Sequence, residues 1–179
     1  MKKTNKKMNV LLITVLLITA ATGFAFAESV PAYIIITGTP SIDVEVSYTE
    51  PGSDTAVAAD GILMTGAADD PVLSITGLKV KNNNAMGIIL VEKLEMNTLD
   101  QPGWTIVNDR TDFTRLPADS KQFSIVTDSH DFSSGAYTTV REINPESEIK
   151  YEFTGKTGPV SAQLEKLQIA NAVLTLSLK

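Results

Sequence analysis

Apolar side chains recur at every second position through most of the chain. Residues 41–48 give the clearest case, with Ile42, Val44, Val46 and Tyr48 on one face and Ser41, Asp43, Glu45 and Ser47 on the other. That alternation predicts a half-buried strand, and Glu50-Pro51-Gly52-Ser53-Asp54 predicts the turn that closes it, Pro presetting φ and Gly permitting a positive φ. Residues 55–70 are less regular and hold a short apolar run, Ile62-Leu63-Met64, between Gly61 and Gly66. Over 72–81 alternation returns, but its parity changes at Gly77, from Leu73 and Ile75 to Leu78 and Val80. One inserted residue produces such a change, so a β-bulge is expected at Gly77. Asn82-Asn83-Asn84 then predicts a hairpin turn into a strand over 86–96. Met86, Ile88, Leu90, Leu94 and Met96 share one of its faces, while Ile89 and Val91 make its middle apolar on both, as in a central strand.

Further on, Leu99-Asp100-Gln101-Pro102-Gly103 marks a turn, and residues 104–107 open another strand at Trp104. The polar stretch 109–120, broken by Pro117, predicts a surface connection. Strands follow over 121–128, with Phe123 and Ile125 inward, and over 136–143, with a loop at 129–135 between them. After the turn Asn144-Pro145-Glu146, the residues Ile149, Tyr151 and Phe153 alternate with Glu148, Lys150, Glu152 and Thr154, and Gly155-Lys156-Thr157-Gly158-Pro159 is expected to end that strand as a turn. A helix competes over 160–172, where Val160, Leu164 and Leu167 keep i, i+4, i+7 spacing. Leu174, Leu176 and Leu178 restore the strand period. Short strands separated by Gly, Pro and Asn turns predict an all-β fold, a two-sheet antiparallel β-sandwich of Ig-like or jelly-roll type with eight to ten strands.

The N-terminus departs from this pattern. Lys2, Lys3, Lys6 and Lys7 precede the uncharged run 10–22, and Ala25-Phe26-Ala27 offers a small-x-small site before Glu28. These are the parts of a signal peptide over 1–27, cleaved between Ala27 and Glu28, which leaves one domain over 28–179. The rival is an uncleaved anchor, since residues 10–27 carry no charge and roughly 17–25 apolar residues span a bilayer; the small residues near the end of the run favour cleavage. Loss of the four leader lysines would leave 11 basic against 21 acidic residues, a net charge of −10. Nucleic acid is excluded as a partner, because phosphate binding needs clustered Lys and Arg and here they are scattered. Docking on anionic lipid fails on the same ground, and no later segment predicts a membrane span. The chain has no Cys, and a domain of this size buries enough surface to fold without disulfides.

Candidate chemistry is sparse. His130 is the one imidazole in the sequence, so a Ser-His-Asp mechanism would run through Asp128-Ser129-His130-Asp131, where adjacency alone does not supply the required geometry. Asp69-Asp70, Asp109 with Asp112, and Asp128 with Asp131 are loop acids of the kind calcium uses, though turns use Asp for reasons of their own. Gly155-Lys156-Thr157 lacks the upstream Gly and following helix of a phosphate loop. Trp104 has the surface of a sugar platform but more readily fills a core. Paired carboxylates of the hydrolase kind have no pointer. No catalytic residue, metal or cofactor is assigned.

Ala32-Tyr33-Ile34-Ile35-Ile36-Thr37 is uncharged, free of Pro and β-branched, a strand that must be covered. It either pairs within its own domain or leaves it to complete a neighbour's sheet, which makes Tyr33, Ile34, Ile35 and Ile36 a candidate assembly strand. Lys79-Val80-Lys81-Asn82-Asn83-Asn84, and Ile143-Asn144-Pro145-Glu146-Ser147-Glu148-Ile149 leading into Tyr151 and Phe153, resemble the strand-turn phrases of small exported β-sandwich surface and biofilm-matrix proteins of Gram-positive bacteria. The resemblance implies fold more than role and carries over no functional residue. The resulting expectation is a non-enzymatic, secreted or cell-surface protein with a structural, adhesion or assembly role, partnered by itself or by other surface proteins. A calcium- or glycan-binding module is the alternative, and a hydrolase the remotest one.

Overall fold

The computed structural model describes residues 30–37, 42–68, 70–161 and 167–179. The expected leader with Ala27 and Glu28, the acid Asp69 and residues 162–166 of the segment where a helix competed lie outside them; residues 170–172 of that segment belong to a strand instead. The described chain forms fourteen strands. These are β1 (Val30–Thr37), β2 (Val44–Thr49), β3 (Ala56–Val57), β4 (Ile62–Thr65), β5 (Val72–Ile75), β6 (Gly77–Asn82) and β7 (Ile89–Thr98), followed by β8 (Thr105–Ile106), β9 (Gln122–Thr127), β10 (His130–Asp131), β11 (Arg141–Ile143), β12 (Glu148–Tyr151), β13 (Thr154–Thr157) and β14 (Ala170–Leu178). Three-residue 3-10 turns at Phe113–Arg115 and Phe132–Ser134 are its helical elements. No helix among the described residues is long and apolar enough to cross a membrane.

A larger sheet runs β10-β9-β13-β5-β4-β1-β14-β7-β11, with β8 beside β9, and a smaller one runs β12-β6-β2-β3. Pairing is antiparallel except for β1 with β14 and β8 with β9. The fold is therefore all-β and predominantly antiparallel, and the sheets keep free ends instead of closing into a barrel. One hydrophobic cluster takes Ile62, Ile75, Ile125, Leu94 and Leu174 from the larger sheet and Tyr48, Leu78, Val80 and Tyr151 from the smaller. Each fully buried aliphatic side chain among them contributes about 1.5–3 kcal/mol.

The strand count exceeds the expected eight to ten because two-residue strands, β3 and β10, form in segments expected to be irregular or loop, and because the chain changes sheets inside two predicted strands. At Thr76 it leaves β5 in the larger sheet and enters β6 in the smaller, so the parity change near Gly77 marks a crossing and not a bulge. Thr76 anchors the crossing: its N–H donates to the Leu63 carbonyl at 3.0 Å and its Oγ1 accepts from the Leu63 N–H at 2.9 Å. The second crossing, at Glu152-Phe153, splits the predicted 148–154 strand into β12 and β13. Gly155-Lys156-Thr157 is consequently strand and not turn. Gly155 lies so close to β9 that a Cβ there would sit 2.3 Å from the Ser124 carbonyl oxygen, which explains a glycine inside a strand.

The Asn run likewise joins two sheets and not two strands of a hairpin, since β6 belongs to the smaller sheet and β7 to the larger. Asn82 is fully buried at this corner. Its Nδ2 donates to the Gly87 and Ile143 carbonyls at 2.9 and 3.0 Å, its Oδ1 accepts from the N–H and Nδ2 of Asn84, and its own N–H donates to the Ser147 carbonyl. Strand β7 begins at Ile89, which leaves Met86 outside it and 87% exposed. The fold does contain a bulge, at Glu92: Val91 faces Leu176 and Lys93 faces Thr175. Its extra residue moves the buried parity from Ile89 and Val91 to Leu94 and Met96, which is why the middle of that strand looked apolar on both faces.

Candidate functional site

Sequence singled out the segment 128–131, and the structure makes it a tight hairpin. Thr127 pairs with His130 across the two-residue loop Asp128-Ser129, whose φ angles of 46° and 66° belong to the hairpin turn with two left-handed central residues. The expected loop over 129–135 thus contains β10 and a 3-10 turn. His130 packs edge-on against Phe132 and Tyr137, with ring centroids 5.1 and 5.5 Å away. Its Nε2 donates to the Gly135 carbonyl at 2.9 Å, so that nitrogen is committed to backbone. Asp128 accepts from the Tyr137 hydroxyl at 3.0 Å and faces Arg141 at 3.7 Å. Desolvation first, and then the bond to Asp128, raise the pKa of Tyr137. Arg141 also lies 4.6 Å from the Tyr151 ring centre. Burial pushes Tyr48 and Tyr151 up to about 12, far from the range useful for proton transfer near neutrality.

Two of the predicted acidic loops do converge, at Asp109 and Asp131. The Asp109 N–H donates to Asp131 Oδ2 at 2.8 Å, and the Ser133 N–H donates to Asp131 Oδ1 at 2.8 Å. Desolvation raises the Asp131 pKa, but these donors outweigh it and hold the carboxyl below its ordinary value. Asp109 Oδ1 accepts from the buried Ser124 hydroxyl at 2.8 Å. The Lys156 ammonium donates to the Asp109 carbonyl oxygen at 3.0 Å and to Asp109 Oδ2 at 3.1 Å, and the Lys156 N–H returns to Ser124 Oγ at 3.0 Å. A cation is thus built in, supplied by β13 against the loop that follows β8. Calcium would have to displace an ammonium that already holds a carbonyl and a carboxylate oxygen.

The other acids are similarly engaged. Asp112 accepts from Thr114 Oγ1 at 2.6 Å and pairs with Arg115 at 3.0 Å, while Asp70 caps the Val72 N–H at 2.9 Å. Among the described residues no group of three or more His, Cys, Asp or Glu side chains is arranged to hold a metal. Trp104 is 7% exposed and meets Phe123 edge-on at 6.3 Å, which makes it core and not a sugar platform. An open groove of about 570 Å³ runs along β5, with Pro51, Thr65, Val72, Ile75 and Phe153 among its walls and Asp70 at its polar side. Ser124 and Lys156 were missed because what assigns them is spatial: they are neighbours across β9 and β13 but 32 positions apart in sequence.

The candidate assembly strand occupies a different kind of place. Val30, Pro31 and Ala32 pair antiparallel with Met64, Leu63 and Ile62 of β4. Tyr33, Ile34, Ile35, Ile36 and Thr37 pair in parallel with Asn171, Ala172, Val173, Leu174 and Thr175 of β14. β1 therefore hands over from one partner to the other along its length, and among the described residues no ladder joins β4 to β14 directly. Pro31 suits that stagger, because it sits where β1 has one partner and lacks an N–H to give a second. No family model matches this chain, and neither a curated protein nor a solved structure matches it.

Proposed function

We propose that the chain is a non-enzymatic, exported β-sandwich protein, Ig-like or jelly-roll, with a structural, adhesion or assembly role at the cell surface or outside the cell. Its leader over 1–27 directs export and is removed before Glu28. The observation that carries this reading is the joint at Asp109: the acids that sequence offered to a metal or a substrate are tied to Lys156, Ser124 and backbone N–H groups. They act as fasteners between β9, β13 and the loop after β8. A body whose polar residues hold strands together around buried aromatics suits a load-bearing or scaffolding part.

The test is fractionation of producing cells, followed by electron microscopy and sedimentation of the protein recovered. The protein is expected outside the membrane, lacking residues 1–27, in particles heavier than one chain. Retention in the cytoplasm with the leader intact, or a single-chain mass at every concentration, overturns the reading.

A further inference from the structure

We propose that β1 is exchangeable between copies, so that residues 30–37 of one chain fill the place between β4 and β14 of a second copy. The inference rests on the assembly reading above and names its partner, a second copy of the same chain, and its surface. Four observations carry it.

The first is the seat itself. Five positions of β14 and three of β4 take their partner from β1; without it, both would present open ladders. The second is how little of the chain must move. β1 connects to β2 through 38–43, Gly-Thr-Pro-Ser-Ile-Asp, and β2 lies in the other sheet. Withdrawing β1 rearranges this one connector; β14 also has a described strand on one side only, but it is held to β7 over nine register pairs, while the remaining strands of the larger sheet are tethered to described strands at both ends. The third is the shortness of rival edges. β3 and β10 have two residues each and β11 has three, Arg141 Nη1 covers the Lys150 carbonyl of β12 at 2.7 Å, and the one-sided stretches of β2 (44–47) and β7 (95–98) span four residues each, against eight positions of β1. Short or covered edges suppress indiscriminate pairing, which leaves the β1 seat as the long ladder to be shared. The fourth is composition: 32–37 carries no charge, so entry into a neighbour meets no charge repulsion from the strand itself.

A tethered strand competes with a neighbour's at an effective concentration in the mM range for a short linker. Exchange is therefore favoured where copies are crowded, as in an extracellular layer, and disfavoured in dilute solution. A heterologous exchange that does not close on itself produces a chain of subunits, and a reciprocal one a dimer.

The absence of Cys from the sequence allows a site-specific test on the full exported chain. Thr37→Cys and Thr175→Cys, partners in the β1–β14 ladder, are spin-labelled singly, mixed in urea, refolded together and concentrated. Neighbouring strands lie about 4.7–4.9 Å apart, so exchange brings the two labels close enough for strong dipolar broadening. We expect broadening in the mixture that grows as concentration approaches the mM range and is absent from dilute samples. A doubly labelled chain, broadened at every dilution, verifies the seat. Tyr33→Cys with Asn171→Cys repeats the test at a second register pair if the first pair perturbs folding. Narrow lines in both concentrated mixtures, with broadened doubly labelled chains, overturn the proposal. If the wild-type protein assembles outside cells while the mixtures stay narrow, exchange fails and the structural role stands. If the lines broaden but the protein never leaves the cell, the reverse holds.

Discussion

The corner at Asn82 and the seam at β1 are held by different means. At the corner, one buried side chain donates to two carbonyls from separate segments and accepts twice from Asn84. Only an amide of that length and polarity fits. At the seam, the described contact is a backbone ladder, which any chain of suitable shape can offer to β4 and β14. Side-chain-specific joints make a fold unique, and backbone ladders make it shareable. The Asp109–Ser124–Lys156 joint resembles the corner in being specific but lies nearer solvent, with Lys156 and Asp109 side chains 39% and 35% exposed.

That contrast can be broken by substitution. The largest effect is expected for Gly155→Ala, whose Cβ meets the Ser124 carbonyl at 2.3 Å and Ile75 Cδ1 at 2.9 Å. Backbone cannot yield as a flexible side chain does, and the loss should be about 3 kcal/mol in urea unfolding. Asn82→Ala leaves the Gly87 and Ile143 carbonyls without their donor and should cost about 2–3 kcal/mol, with faster amide exchange in both sheets because the corner links them. For Ile35→Pro the expectation is local. Amides over 171–175 should exchange at least about tenfold faster, equivalent to about 1.4 kcal/mol, while those of β2 and β6 keep their protection; equal loosening of both sheets would erase the distinction between seam and corner.

Smaller effects test the exposed joint. Lys156→Met should cost about 1 kcal/mol or less, as expected for a half-exposed ion pair. Excess calcium should leave the wild-type melting temperature unchanged, since a ligand of the native state must raise it; a calcium-dependent rise would mean that Lys156 is displaced. Asp131 governs the acid limb. Its folded pKa lies below the ordinary carboxylate value near 3.9, so its contribution is present above that value and is lost as pH falls through the folded pKa. Asp131→Asn should lower stability at pH 7 and flatten the decline below about pH 4, measured by urea midpoints across pH.

Much of the architecture was legible because period two survives wherever a strand has one buried face. Tyr48, Phe123 with Ile125, and Leu174 with Leu176 are buried where alternation put them, and Ile42, Val44 and Val46 pack partly buried against the core, while Leu178 at the end of its strand is 41% exposed. Legibility ended where the chain passes between sheets. The parity change at Gly77 has the same signature whether a residue is inserted or the strand changes partner, and Asn82-Asn83-Asn84 suits a hairpin turn and an intersheet corner alike. In the candidate site, the Asp109 and Asp131 loops were visible as acidic, but Lys156 sat in a presumed turn and was weighed only as part of a phosphate-loop look-alike.

Sequence by itself determined that the described chain builds sheets, because alternation and turn residues act over a few neighbours. Tertiary structure decided which sheet each strand joins, that Trp104 is interior, that a lysine fills the space between converging acids, and that β1 bridges β4 and β14. Those outcomes depend on contacts between residues tens of positions apart, which local pattern does not encode.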